Sequence, residues 1–109
     1  MSAYIEGQNI SLTRGDSLIL DITITRNGDP YTTTEGDSVR FAMKRRSSDE
    51  APVLIKYMDI QEMRFTFNPE DTKDLNIGKY RYDIELTTSD GYVDTFIGPA
   101  IFELTEEVY

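Results

Sequence analysis

Apolar and polar side chains alternate along most of this chain, most clearly in Ser17-Leu18-Ile19-Leu20-Asp21-Ile22-Thr23-Ile24-Thr25. Leu18, Leu20, Ile22 and Ile24 fall on one face and Asp21, Thr23 and Thr25 on the other, the two-residue period of a strand with one wet side. The same period recurs in Val39–Lys44, in Met63–Phe67 and in Tyr80–Leu86. Further strands are expected near 8–13, 53–58, 92–97 and 100–105. Asn27-Gly28 and Asp90-Gly91 supply the positive φ angles that tight hairpin turns require, and Gly36-Asp37 and Gly98-Pro99 mark weaker breaks. One helical turn is predicted near 69–75. Asn68 can cap it, Pro69 suits its first position, and Glu70 and Asp71 place negative charge at its positive end.

Seven to eight short strands separated by turns, with one helical turn in a crossover, predict an all-β fold, an immunoglobulin-like Greek-key β-sandwich. Leu75-Asn76-Ile77-Gly78-Lys79-Tyr80 supports this, because a Tyr opening the penultimate strand matches the tyrosine corner of such sandwiches. Its ring would be buried and its hydroxyl bonded backward along the chain. The Cys and Trp hallmarks of true immunoglobulin domains are absent. Residues 1–109 are expected to form one domain, since two would each be too small to bury a core. Hydrophobic residues are 39% of the chain, enough to form that core, and Phe41, Phe65, Phe67, Tyr80, Tyr82, Phe96 and Phe102 fall mainly at inward positions.

Composition narrows the chemistry. There is no Cys and no His, which removes disulfides, the usual general base and most zinc sites. A net charge of −9 repels phosphate backbones, so neither nucleic acid nor an anionic membrane is an expected partner. No run approaches the roughly 18 apolar residues of a membrane span, and Met1–Glu6 shows neither the basic start nor the apolar run of an export signal, so none is expected. No enzymatic activity is expected, and no catalytic, cofactor-binding or metal-binding residue is assigned.

Several short stretches nonetheless invite a functional reading. Arg14-Gly15-Asp16-Ser17 matches the adhesive tetrapeptide of matrix proteins, yet the same residues serve equally as a turn between two strands. Asp29, Asp37, Asp90 and Asp94 lie in or beside turns where calcium could be gathered, although acidic side chains usually mark a solvated face. Lys44-Arg45-Arg46 could dock an acidic partner or simply guard a strand end. Asn9-Ile10-Ser11 matches a glycosylation acceptor, with no other sign of a secretory pathway.

Taken in order, "ISLTRGDSLILDITI", "NGDPYTTTEGDSVRFAMKR" and "FTFNPEDTKDLNIGKYRYDIELTTSDGYVDTFIGPAIFEL" resemble the immunoglobulin-like domains of bacteriophage and prophage tail-region proteins. Within that group they are similar to the N-terminal domain of the baseplate upper protein family. That resemblance implies a non-enzymatic structural module of a tail or baseplate, without catalytic residues. It also implies contacts with other virion proteins or with further copies of itself, and a place in the virion, or in the bacterial cytoplasm before assembly. The alternative is an adhesion domain that binds a cell surface or glycan, with calcium as a possible aid.

Overall fold

The computed structural model describes residues 3–6, 8–46, 48 and 51–107. Its elements are β1 (Ala3–Glu6), β2 (Asn9–Thr13), β3 (Leu18–Asp21), β4 (Ile24–Arg26), β5 (Asp29–Tyr31), β6 (Ser38–Lys44), β7 (Leu54–Tyr57), β8 (Arg64–Phe67), α1 (Pro69–Thr72), β9 (Gly78–Thr87) and β10 (Val93–Thr105). Six strands form one sheet in the order β1-β2-β10-β9-β6-β7, β3 pairs with β8, and β4 pairs with β5. Neighbours run antiparallel except β2 beside β10, which is parallel. The all-β, sandwich-like class read from the alternation is therefore the class observed.

The inner faces meet in one core. Val39, Phe41 and Met43 of β6 and Tyr80, Tyr82, Ile84 and Leu86 of β9 are buried together with Phe65 and Phe67 of β8 and Leu18 of β3. Phe41 lies 5.0 Å from Phe67, edge to face, and 6.1 Å from Phe65, so rings from the large sheet and the β3–β8 pair interlock. The expected aromatic set is core as predicted, with Phe96 packed against it from a half-buried position. Tyr82 donates its hydroxyl to the Gln8 carbonyl, and burial pushes its phenol up to about 12.

Four details depart from the expected elements, each for a local reason. The strand expected to run on from Ser17 through Thr25 divides: Ile22 N–H bonds Met63 O at 2.9 Å, after which β4 leaves β8 to make a hairpin with β5. Asn27 and Gly28, with φ of 54° and 84°, form its turn. The two strands expected at 92–97 and 100–105 are one, because Gly98 and Pro99 are accommodated as an irregularity between Ile97, opposite Ile84, and Ala100, opposite Tyr82. The helix stops at Thr72, and Leu75 N–H bonds Thr72 O in a separate turn. β1 and β5 carried no clear alternation and were not expected; with the divided strand they bring the described strands to ten.

Tyr80 is 3% exposed and donates its hydroxyl to the Asn76 carbonyl at 2.6 Å. This is the backward bond of a tyrosine corner, pinning the crossover that carries α1 to β9. Tyr80→Phe removes the donor and leaves that carbonyl without its partner. We expect a loss of about 1–3 kcal/mol by urea unfolding, and a loss under about 0.5 kcal/mol would contradict a structural role for the bond.

Candidate interaction surfaces

The Arg14-Gly15-Asp16 segment joins β2 to β3 and is tied down at every residue. Arg14 N–H bonds Thr105 O at 3.0 Å, Asp16 N–H closes a turn onto Thr13 O at 3.1 Å, and Gly15 N–H meets the buried Thr72 hydroxyl at 2.9 Å. The Arg14 guanidinium folds back onto the C-terminal end, reaching Glu107 at 2.7 Å and Leu75 O at 3.2 Å. An adhesive loop needs its arginine presented outward, whereas this one staples three segments of the sandwich. The charge-assisted bond holds the Glu107 carboxyl below its usual range.

Of the four turn aspartates, Asp37 and Asp90 line one cleft, and Asp29 and Asp94 are not part of its lining. Among the described residues, no three acidic side chains are grouped as a metal would need. Asp37 instead organises the β5–β6 loop: its Oδ2 accepts from the Tyr31 hydroxyl at 2.6 Å and from Thr34 N–H at 3.0 Å. Asp90 accepts through Oδ1 from the Thr88 hydroxyl and from Tyr92 N–H at 3.4 Å, stabilising the β9–β10 turn. Asp29 faces Arg26 in the β4–β5 register, and Asp94 sits opposite Leu86.

The Tyr31 hydroxyl, with smaller help from backbone N–H groups, holds the Asp37 carboxyl below its ordinary value. A carboxyl depressed in the folded state contributes stability that is present above its unfolded pKa, near 4, and is lost as pH falls through the lower folded value. Asp37→Asn should therefore weaken the protein at neutral pH and flatten the loss of stability below about pH 4. Urea unfolding of both proteins across that range checks this, and parallel curves would contradict it.

The outer face of the six-stranded sheet offers a different surface. Arg40 of β6 lies in register between Tyr57 of β7 and Glu85 of β9, with a guanidinium nitrogen 3.7 Å from Glu85. Ala42, the small residue of the next row, lies between Ile55 and Asp83, leaving a shallow depression bounded by Arg40, Lys44, Arg81 and Pro99. Ile55 and Tyr57 are 46% and 66% exposed, and Val53 beside them is also exposed. Exposed large apolar side chains clustered on one strand are the informative kind.

That strand is also a sheet edge. Met58 N–H bonds Val39 O at 2.9 Å, and the same register sets Lys56 against Phe41 and Leu54 against Met43. Bonded residues alternate along an antiparallel ladder, so the N–H and C=O of Ile55 and Tyr57 point out of the sheet. Lys56 turns inward to bond Asp71 at 2.9 Å, which in turn accepts from Asn68 N–H at 2.8 Å. The free backbone groups and the exposed apolar side chains thus belong to the same two residues.

No family model matches this chain, and no curated protein or solved structure matches it. The remaining short motifs are explained by the fold. Arg45 lies over the Tyr80 ring at 4.8 Å and approaches Ile77 O at 3.5 Å, so part of the basic run braces the corner. Asn9 accepts from Ile101 N–H at 3.0 Å through its side-chain oxygen, and Ile10 is buried, so the acceptor motif pins β2 to β10. Ile55 and Tyr57 were missed as surface residues because alternation alone does not say which strand ends the sheet. Arg26 was missed too: its guanidinium lies 5.2 Å from the Tyr31 ring and 4.9 Å from the Tyr92 ring, across a contact made only in the folded chain.

Proposed function

We propose that this domain is a non-enzymatic structural module of a bacteriophage or prophage particle, in the tail or baseplate region, working through protein–protein contacts. The observation that carries the contact role is the β7 edge, where Ile55 and Tyr57 present apolar side chains and unpaired backbone groups together. An added strand would satisfy those groups while covering the side chains, with Arg40 beside Tyr57 supplying a residue type common at interface centres. The absence of His and Cys from the whole sequence supports a non-enzymatic reading. The virion setting rests on the ordered resemblance of the three sequence stretches to tail-region domains.

Absolute mass by light scattering over a concentration series tests self-assembly as the form of that contact. A defined oligomer in the wild type that is lost in Ile55→Lys/Tyr57→Glu supports the proposal. A monomer at every concentration, or an oligomer indifferent to the double substitution, counts against it.

A further inference from the structure

At the end of the sandwich away from α1, the β5–β6 loop and the β9–β10 turn close on one another and leave a cleft of about 370 Å³ between them. Its lining comes from Arg26 and Tyr31 of the β4–β5 hairpin, Thr34 and Asp37 of the β5–β6 loop, and Ser89, Asp90 and Tyr92 of the β9–β10 turn. We propose that this cleft is a binding site for an uncharged sugar ring, an activity beyond the assembly role above and independent of the β7 edge.

The walls of the cleft are held in place before any ligand arrives. A side-chain carbon on Gly36 would lie 2.8 Å from the Ser89 Cβ, so the two loops are in close contact. Asp37 fixes Tyr31 and Thr34, and the Arg26 guanidinium is held against the rings of both Tyr31 and Tyr92. Walls fixed before binding lower the ordering cost of capturing a weak ligand.

The chemistry of the lining selects the class of ligand. One cation faces two carboxylates, Asp37 and Asp90, so phosphate and sulfate groups are disfavoured. The bonds that shape the β9–β10 turn use Oδ1 of Asp90, leaving Oδ2 able to accept from a ligand hydroxyl. Arg26 can donate, and the hydroxyls of Thr34 and Ser89 can do either. A pair of neighbouring sugar hydroxyls, each both donor and acceptor, matches such a mixed set better than a carboxylate or an ammonium does. Tyr92, 54% exposed, offers a ring edge and face for the apolar C–H side of a pyranose.

The test is a nitrogen-15 NMR titration of the whole chain with the methyl glycosides of glucose, galactose, mannose and N-acetylglucosamine, up to tens of millimolar. Saturable shifts of the Thr34, Ser89, Asp90 and Tyr92 amides are expected with at least one glycoside. Tyr92→Ala should raise its Kd about tenfold, whereas Tyr57→Ala leaves it unchanged. The same spectra report whether each variant is folded, and Tyr92→Leu replaces the alanine variant if that one is not. No saturable shift with any of the four, shifts confined to other faces, or binding indifferent to loss of the Tyr92 ring would each overturn the assignment. Because the mass measurement follows Ile55 and Tyr57, failure here leaves the assembly reading standing, and failure there leaves this site standing.

Discussion

Phe41→Ala is expected to cost about 3–5 kcal/mol, the largest single-residue loss in this protein. Phe41 has no exposed surface and stands where both layers meet. Its ring stacks on Tyr82 at 5.1 Å and meets Phe67 and Phe102 edge to face at 5.0 Å and 5.8 Å. Truncation removes the transfer energy of the ring and leaves a cavity walled by other rings, which cannot close without moving β6, β8 and β10 together. For a domain with a typical total stability of about 5–15 kcal/mol, that loss takes a large share of the stability. Urea unfolding measures it directly. A loss under about 1.5 kcal/mol would mean that the aromatic cluster repacks freely and is not the centre of the fold.

Gly98→Ala is expected to be the most damaging of the glycine substitutions, by at least about 2 kcal/mol. Gly98 has φ of 98°, and an added side-chain carbon would stand 2.5 Å from the Tyr82 carbonyl oxygen and 2.9 Å from the Asp83 Cα. Both obstacles belong to the central strand β9, so neither can swing aside as a flexible side chain would. Gly91→Ala is the informative control, since its φ of 92° is similar and nothing lies within 4 Å of the added carbon. That variant should lose only the backbone term, about 1–2 kcal/mol. Thermal or urea unfolding of the pair isolates the contact with β9, and equal losses would show that the irregularity in β10 can relax away from its neighbour.

The buried faces were legible in the sequence wherever a strand keeps one side wet, because the alternation directly records which side chains leave water. Leu18, Phe41, Phe65, Phe67, Tyr80 and Tyr82 were placed correctly on that ground alone. The tyrosine corner was legible too, since a Tyr following Leu75 and Gly78 at that spacing has a specific mechanical use. What the pattern could not carry was pairing. Ile22 and Ile24 continue the alternation of Leu18 and Leu20, yet β4 changes partner after Asp21, a choice made by the hairpin rather than by burial. Gly98-Pro99 reads locally as a break, whereas the long ladder between β9 and β10 continues on both sides and holds the strand together.

The same distinction separates the surfaces. The Arg14-Gly15-Asp16 stretch was conspicuous as a motif, but its meaning depended on Glu107, 93 residues away. Edge position at Ile55 and Tyr57, and the closeness of Arg26 to Tyr92, likewise follow from topology. Local sequence signals turn chemistry and burial; it does not signal which turns share one end of a sandwich.

The contact role of β7 is tested most directly by amide hydrogen exchange of Ile55 and Tyr57, compared between dilute and concentrated protein. If these residues add a strand to a neighbouring copy, their exchange slows about tenfold or more on assembly, while amides already paired inside the β6–β9 ladder are unaffected. Unchanged exchange at both residues across the whole concentration range would contradict strand addition at β7 and move the contact away from this edge.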